Sequence, residues 1–186
     1  MDYSAYCGTR DAVWRIIIDF NISSLPISVS RLCRNLGITV KQCERKPGNA
    51  NDGYSTIVSG NPYIVVSNDL YAPRARFTAA HELGHIVLGH VGQYRLLNRE
   101  PSPHDSPIEQ AANMFAARLL APACVLWGCQ VRTADDIMRL CDVSRAAAEY
   151  RMERMRVLYE RNKFLTSPLE KQVYQQFLPF IKRNRL

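Results

Sequence analysis

The chain has 186 residues, 47% of them apolar, and a formal net charge of +7. That is enough for one substantial core, or one core with a small appendage. No apolar run reaches the roughly 18 residues of a membrane span, and Met1-Asp2-Tyr3-Ser4 lacks the basic and apolar stretches of a secretory signal, so a cytoplasmic protein with no membrane partner is expected. Cys7, Cys33, Cys43, Cys124, Cys129 and Cys141 form no CxxC pair and no zinc-ribbon spacing. Reduced thiols with a packing role are therefore expected. The charge is uneven. From position 151 onward nine basic residues face three acidic ones, which puts +6 there and leaves +1 for the first 150 residues. Such a tail attracts nucleic acid or an acidic protein, or is simply a solvated helix face.

In chain order, apolar residues at Val13, Ile16, Ile17 and Phe20 predict a helix over 9–20. A second short helix is predicted to open at Pro26, run to Leu36 and close at Gly37. Residues 38–44 alternate as a strand, and 46–53 read as a loop. Two β-rich runs, 54–58 and 63–67, flank Ser59-Gly60-Asn61-Pro62, which reads as a hairpin turn. A helix over 73–89 follows. A strand beside that helix can bind a peptide by taking it on as an extra strand. The polar stretch 92–105 reads as a mobile loop, a lid or an autoinhibitory segment. Ser106 and Pro107 then open a helix with a wide apolar face that Pro122 stops.

His81-Glu82-Leu83-Gly84-His85 on the 73–89 helix carries the chemistry. Residues four apart share a helix face, so the two imidazoles can converge on one ion. Glu82 points about 100° away. It can take a proton from water beside the metal without being a ligand. Gly84 costs about 1 kcal/mol against alanine in a helix, which implies close approach of a neighbour. A catalytic zinc needs a third protein ligand. Downstream stand His90, His104, Asp105 and Glu109. On a continuous helix His90 is 180° from His81, a poor ligand position, and reads as a helix-end histidine favoured by the dipole. His104 and Asp105 lie in the proline-bearing loop. Glu109 opens a packed helix, which holds a ligand more rigidly than a loop; its other role is a capping box with Ser106. Asn113, four residues on, can accept the free ring N–H of a ligating histidine, or serve as an ordinary buried amide. Tyr71, Tyr94 and His104 are candidate oxyanion donors.

The stretches 76–85, 88–90 and 109–122 closely resemble the ImmA/IrrE metallopeptidase family, strongly over about 51–122 and more loosely towards Val143-Ser144. Ala121 stands where a methionine is frequent in that family, which leaves the site intact. The resemblance implies a zinc-dependent endopeptidase with a glutamate-zincin core. His81, His85 and Glu109 would be the Zn2+ ligands and Glu82 the general base. It also implies a protein substrate, a helix-turn-helix repressor whose cleavage relieves transcriptional repression. The alternative is a non-enzymatic regulator that uses the fold to bind protein or DNA.

In the last third, 133–140 and 144–158 predict two helices around a tight Cys141-Asp142-Val143 turn, like a helix-turn-helix. The second helix begins Ser144-Arg145-Ala146-Ala147-Ala148, poor in base-reading side chains, so partner docking or plain scaffold is favoured over DNA reading. The tail 157–186, with Pro168 and Pro179, reads as a partly ordered basic extension. The expected architecture is α+β. A zincin-like domain with a small antiparallel sheet spans 1–122, a helical region 123–160, and the basic extension 161–186.

Overall fold

The computed structural model describes residues 3–45, 51–91 and 106–185. The element order is α1 (Tyr3–Asp19), α2 (Val29–Asn35), β1 (Thr39–Cys43), β2 (Gly53–Val58), β3 (Asn61–Ser67), α3 (Ala72–Val87), α4 (Pro107–Leu120), α5 (Ala123–Gly128), α6 (Ala134–Cys141), α7 (Arg145–Glu160), α8 (Pro168–Gln176) and α9 (Leu178–Arg183). The class is α+β, as the sequence predicts. The chain clusters into two compact units, one centred on Ser28–Ala116 and one built from Arg10–Ile27 with Ala117–Leu186.

The first unit is organised by a three-stranded sheet of order β1-β3-β2. β3 takes the centre because it is the most apolar strand: Ile64 and Val66 are buried, whereas β1 and β2 are largely half-exposed or exposed. The sheet is mixed rather than antiparallel throughout, since β1 pairs with β3 in parallel from Thr39↔Tyr63 to Cys43↔Ser67. β2 and β3 form the expected hairpin, but its turn is two residues long. Ser59 (φ 51°) and Gly60 (φ 78°) both have positive φ, the pattern that matches the twist of paired strands. Val58 therefore pairs with Asn61 and Ile57 with Pro62. In such a hairpin the Ile57–Pro62 pair exchanges no hydrogen bonds. Pro62 also precedes the point where β1 begins, so its missing N–H breaks no ladder bond.

α2 starts at Val29 rather than Pro26, because Ser28 supplies the cap by accepting from the Arg31 N–H at 3.4 Å. α3 packs on β2 and β3. Its start is tied to the sheet by ions. Asp52, at the entry to β2, accepts from Arg45 at 2.9 Å and from Arg74 on α3 at 2.6 Å, while Arg45 also reaches Asp69 at 3.0 Å.

The second unit is helical. Thr133 and Asp136 form a reciprocal capping box at α6. Asp142 turns the chain in the left-handed region (φ 50°), and Ser144 caps α7, so the predicted helix pair is present. The buried Arg151 guanidinium donates from Nε to the Ala121 carbonyl at 2.7 Å. The expectation of a partly ordered extension gives way over Pro168–Arg183, which form α8 and α9 with Val173 and Phe177 fully buried. Pro168 and Pro179 sit in the first turns of these helices, where a missing N–H costs nothing. Gln176 donates to the carbonyls of Ile17 and Ile22, each at 2.8 Å. Pro107–Gly128 is long and apolar enough to cross a membrane by composition, contrary to the sequence reading. However, 72% of that apolar window is buried, and Pro122 divides it between α4 and α5. The predicted lid loop over 92–105 lies outside the described residues.

Candidate metal centre

α3 and α4 build the centre. α3 is buried on every side from Thr78 to His85, and it meets α4 where Gly84 faces Phe115. A Cβ on Gly84 would lie 3.0–3.2 Å from three Phe115 side-chain atoms, so the glycine relieves a tight contact with the fully buried ring. This is the close approach the glycine implies. It sets Glu109, in the first turn of α4, opposite His81 and His85 in the last turns of α3.

The three side chains converge. The Nε2 atoms of His81 and His85 are 2.8 Å apart. Glu109 Oε2 is 3.3 Å from His81 Nε2, and Glu109 Oε1 is 3.2 Å from His85 Nε2. All ligand atoms lie within 4.8 Å of one another, and the set could hold a metal ion. Donors about 2.0–2.1 Å from one tetrahedral ion sit about 3.3 Å from each other. The two histidine–glutamate spacings already match. The imidazole pair would open by roughly half an ångström. Two imidazoles and a carboxylate also form the donor set that suits a borderline cation such as zinc.

Ser106 caps α4, its Oγ accepting from the Glu109 backbone N–H at 3.4 Å. The cap uses the main chain and leaves the carboxylate for the centre. Asn113, one turn further along α4, places Oδ1 2.8 Å from His81 Nδ1, the position of an acceptor for a ligand's second ring nitrogen.

Glu82 is 4% exposed. Burial pushes its carboxyl up to about 7; His85 and the Ser55 hydrogen bond oppose that rise, and Glu109 adds to it. Ser55 Oγ, on β2, donates to Glu82 Oε2 at 2.9 Å. Nothing in the sequence signals Ser55, because its partner is set by how α3 lies on the sheet.

His90 is off the helix. α3 ends at Val87, Gly89 turns in the left-handed region (φ 73°), and the chain doubles back. His90 Nδ1 then lies 3.1 Å from His85 Nδ1. Burial and the nearby His85 lower its pKa. The 180° placement assumed a helix that Gly89 ends. Tyr71 is the N-cap of α3 and 57% exposed. Ten residues of helix put it about 15 Å along the axis from His81, outside the centre. Asp105, Tyr94 and His104 lie outside the described residues.

A small mixed sheet, an HExxH helix packed on it, and a glutamate brought in by the next helix define a metallopeptidase-type centre. The chain belongs to the IrrE N-terminal-like domain family, Peptidase M78, whose family model matches residues 33–153. No curated protein matches the chain.

Proposed function

We propose that this chain is a zinc-dependent endopeptidase of the cytoplasm whose substrate is a helix-turn-helix repressor or another regulatory protein. The observation that carries the reading is Glu82. Its buried carboxylate stands within electrostatic reach of His85 and Glu109 and is held by Ser55, yet it is not one of the three donors. A purely structural metal site has no use for it.

Zinc, when bound by His81, His85 and Glu109, supplies Lewis acidity that polarises a peptide carbonyl and acidifies water. Glu82 takes the proton of the attacking water as its oxygen bonds to the carbonyl carbon. Glu82 then delivers that proton to the amide nitrogen as the C–N bond breaks, releasing a carboxylic acid and an amine, and the acid's proton passes to the amine to leave a carboxylate and an ammonium group. Among the described residues β2 lies at the edge of the sheet, and it packs against α3. An extended peptide added there would run beside Ser55 and the base it holds. Cys33, Cys124, Cys129 and Cys141 are buried, the packing role expected of cysteines in a reducing compartment.

A non-enzymatic regulator would have the α6–α7 pair for docking, but it leaves the buried Glu82 unexplained. The test is incubation with the product of the neighbouring open reading frame, read by intact mass. With zinc, two fragments whose masses sum to the substrate plus one water are expected; chelator or Glu82→Gln leaves the substrate whole. Substrate intact in every arm, or cut by Glu82→Gln, overturns the reading.

A further inference from the structure

The backbone that follows α3 explains why His90 returns to the centre. Leu88 is the C-cap, and Gly89 occupies the next position with φ 73°. The His90 N–H donates to the His85 carbonyl at 2.8 Å, and the Gly89 N–H to the Ile86 carbonyl at 3.1 Å. These are the two bonds of a Schellman turn. They use main chain only, so any residue at position 90 would close the turn. The side chain that usually seals it is apolar and packs on the residue five before. Here the sealing contact is polar. Imidazole meets imidazole at 3.1 Å, the rings edge-on with centroids 5.3 Å apart.

A histidine that gives Nε2 to a metal carries its proton on Nδ1, and that N–H needs an acceptor. For His81 the acceptor is Asn113 Oδ1 at 2.8 Å. For His85 the atom in place is His90 Nδ1. We propose that His90 is a positioning residue of the metal centre: its Nδ1 accepts the Nδ1 proton of His85 and so fixes the tautomer and ring angle that leave His85 Nε2 to the ion. The inference rests on the metal-binding reading above. On it, the Gly89-His90 step supplies for His85 what Asn113 supplies for His81.

The test uses the full chain, stripped of metal and titrated with zinc against a chromogenic chelator. His90→Phe keeps a ring of similar shape without an acceptor, and should weaken zinc binding about 10–100-fold. His90→Asn places a carbonyl oxygen where Nδ1 stood, and should recover affinity to within a few-fold of wild type. Both should unfold, metal-free, at the wild-type temperature, because the turn itself is main chain. A second readout needs no variant. Long-range nitrogen–proton correlations of the zinc-loaded protein should show His85 protonated on Nδ1 and His90 on Nε2. Equal zinc affinity for His90→Phe and wild type overturns the inference, as does His90→Asn binding no better than His90→Phe, or the opposite tautomers. Those failures leave the metal reading standing. A folded wild type that takes up no zinc removes the metal reading, and this inference with it.

Discussion

Burial lifts the Glu82 carboxyl from 4.5 to about 7, which has a consequence for stability. An acid whose folded pKa is raised contributes most while protonated in both states, below about 4.5, and that contribution is lost as pH rises through about 7. Metal-free protein should therefore weaken across that window by an amount of order 3 kcal/mol. Glu82→Gln should flatten the profile and, at pH 8, leave the metal-free fold more stable than wild type, while still binding zinc and cleaving nothing. Denaturant titration at pH 5 and pH 8, with zinc stoichiometry alongside, checks this. Thiols divide in the same way. Burial pushes Cys33 up to about 12 and Cys129 up to about 11, and raises Cys124 too. Cys43 is exposed. Alkylation of native protein should modify Cys43 before any of these three, read by peptide mass. At this scale the sequence was legible wherever spacing alone decides. The shared face of His81 and His85 follows from helix rotation, whereas Glu109 as the third ligand was what the family resemblance implied; the cap signals of Ser106 and Pro107 only placed it at the start of a packed helix. His90 was misplaced because rotation arithmetic holds only while the helix continues. Ser55 was invisible because its hydrogen bond joins residues 27 apart.

α3 and α4 approach closely where Gly84 meets the Phe115 ring. Gly84→Ala places Cβ 3.0 Å from Phe115 Cδ1. The ring must yield by a few tenths of an ångström, against a helix-propensity gain of about 1 kcal/mol, so little net change in stability is expected. Gly84→Leu overfills the contact, at a cost of about 1–3 kcal/mol, and should push Glu109 away from the imidazoles. Its zinc affinity should fall further than its thermal stability alone accounts for; unchanged affinity would show that α4 tolerates displacement. Elements with local signals were readable: the hairpin from its turn residues, α4 from its cap, and the α6–α7 pair from its tight Cys141-Asp142-Val143 turn. The helices α8 and α9 were hidden by Pro168 and Pro179, which read as breakers and instead start helices. Beneath them, Val173, Phe177, Phe180 and Ile181 fall at helical spacing and are buried. The parallel pairing of β1 had no local signal, because strand order is fixed by which strand is apolar enough for the centre.

At the scale of the whole molecule, the unit that carries the centre has an apolar core of its own. Ile64, Leu83, Ala112 and Phe115 are fully buried apolar residues in the unit that carries the centre. Chelator should therefore leave the far-ultraviolet spectrum unchanged while abolishing cleavage. Free zinc at 100 times its dissociation constant adds about 2.7 kcal/mol, a rise in Tm of roughly 5–10 °C that Glu109→Ala should not show. The edge position of β2 has one more outcome. A ribbon of six residues, Gly53–Val58, spans about 20 Å, and it pairs only with a stretch already pulled straight. A coiled or globular region offers no such stretch until it frays. Scission by this chain would accordingly fall on the tethers between folded parts of a victim, separating its modules while each remains intact.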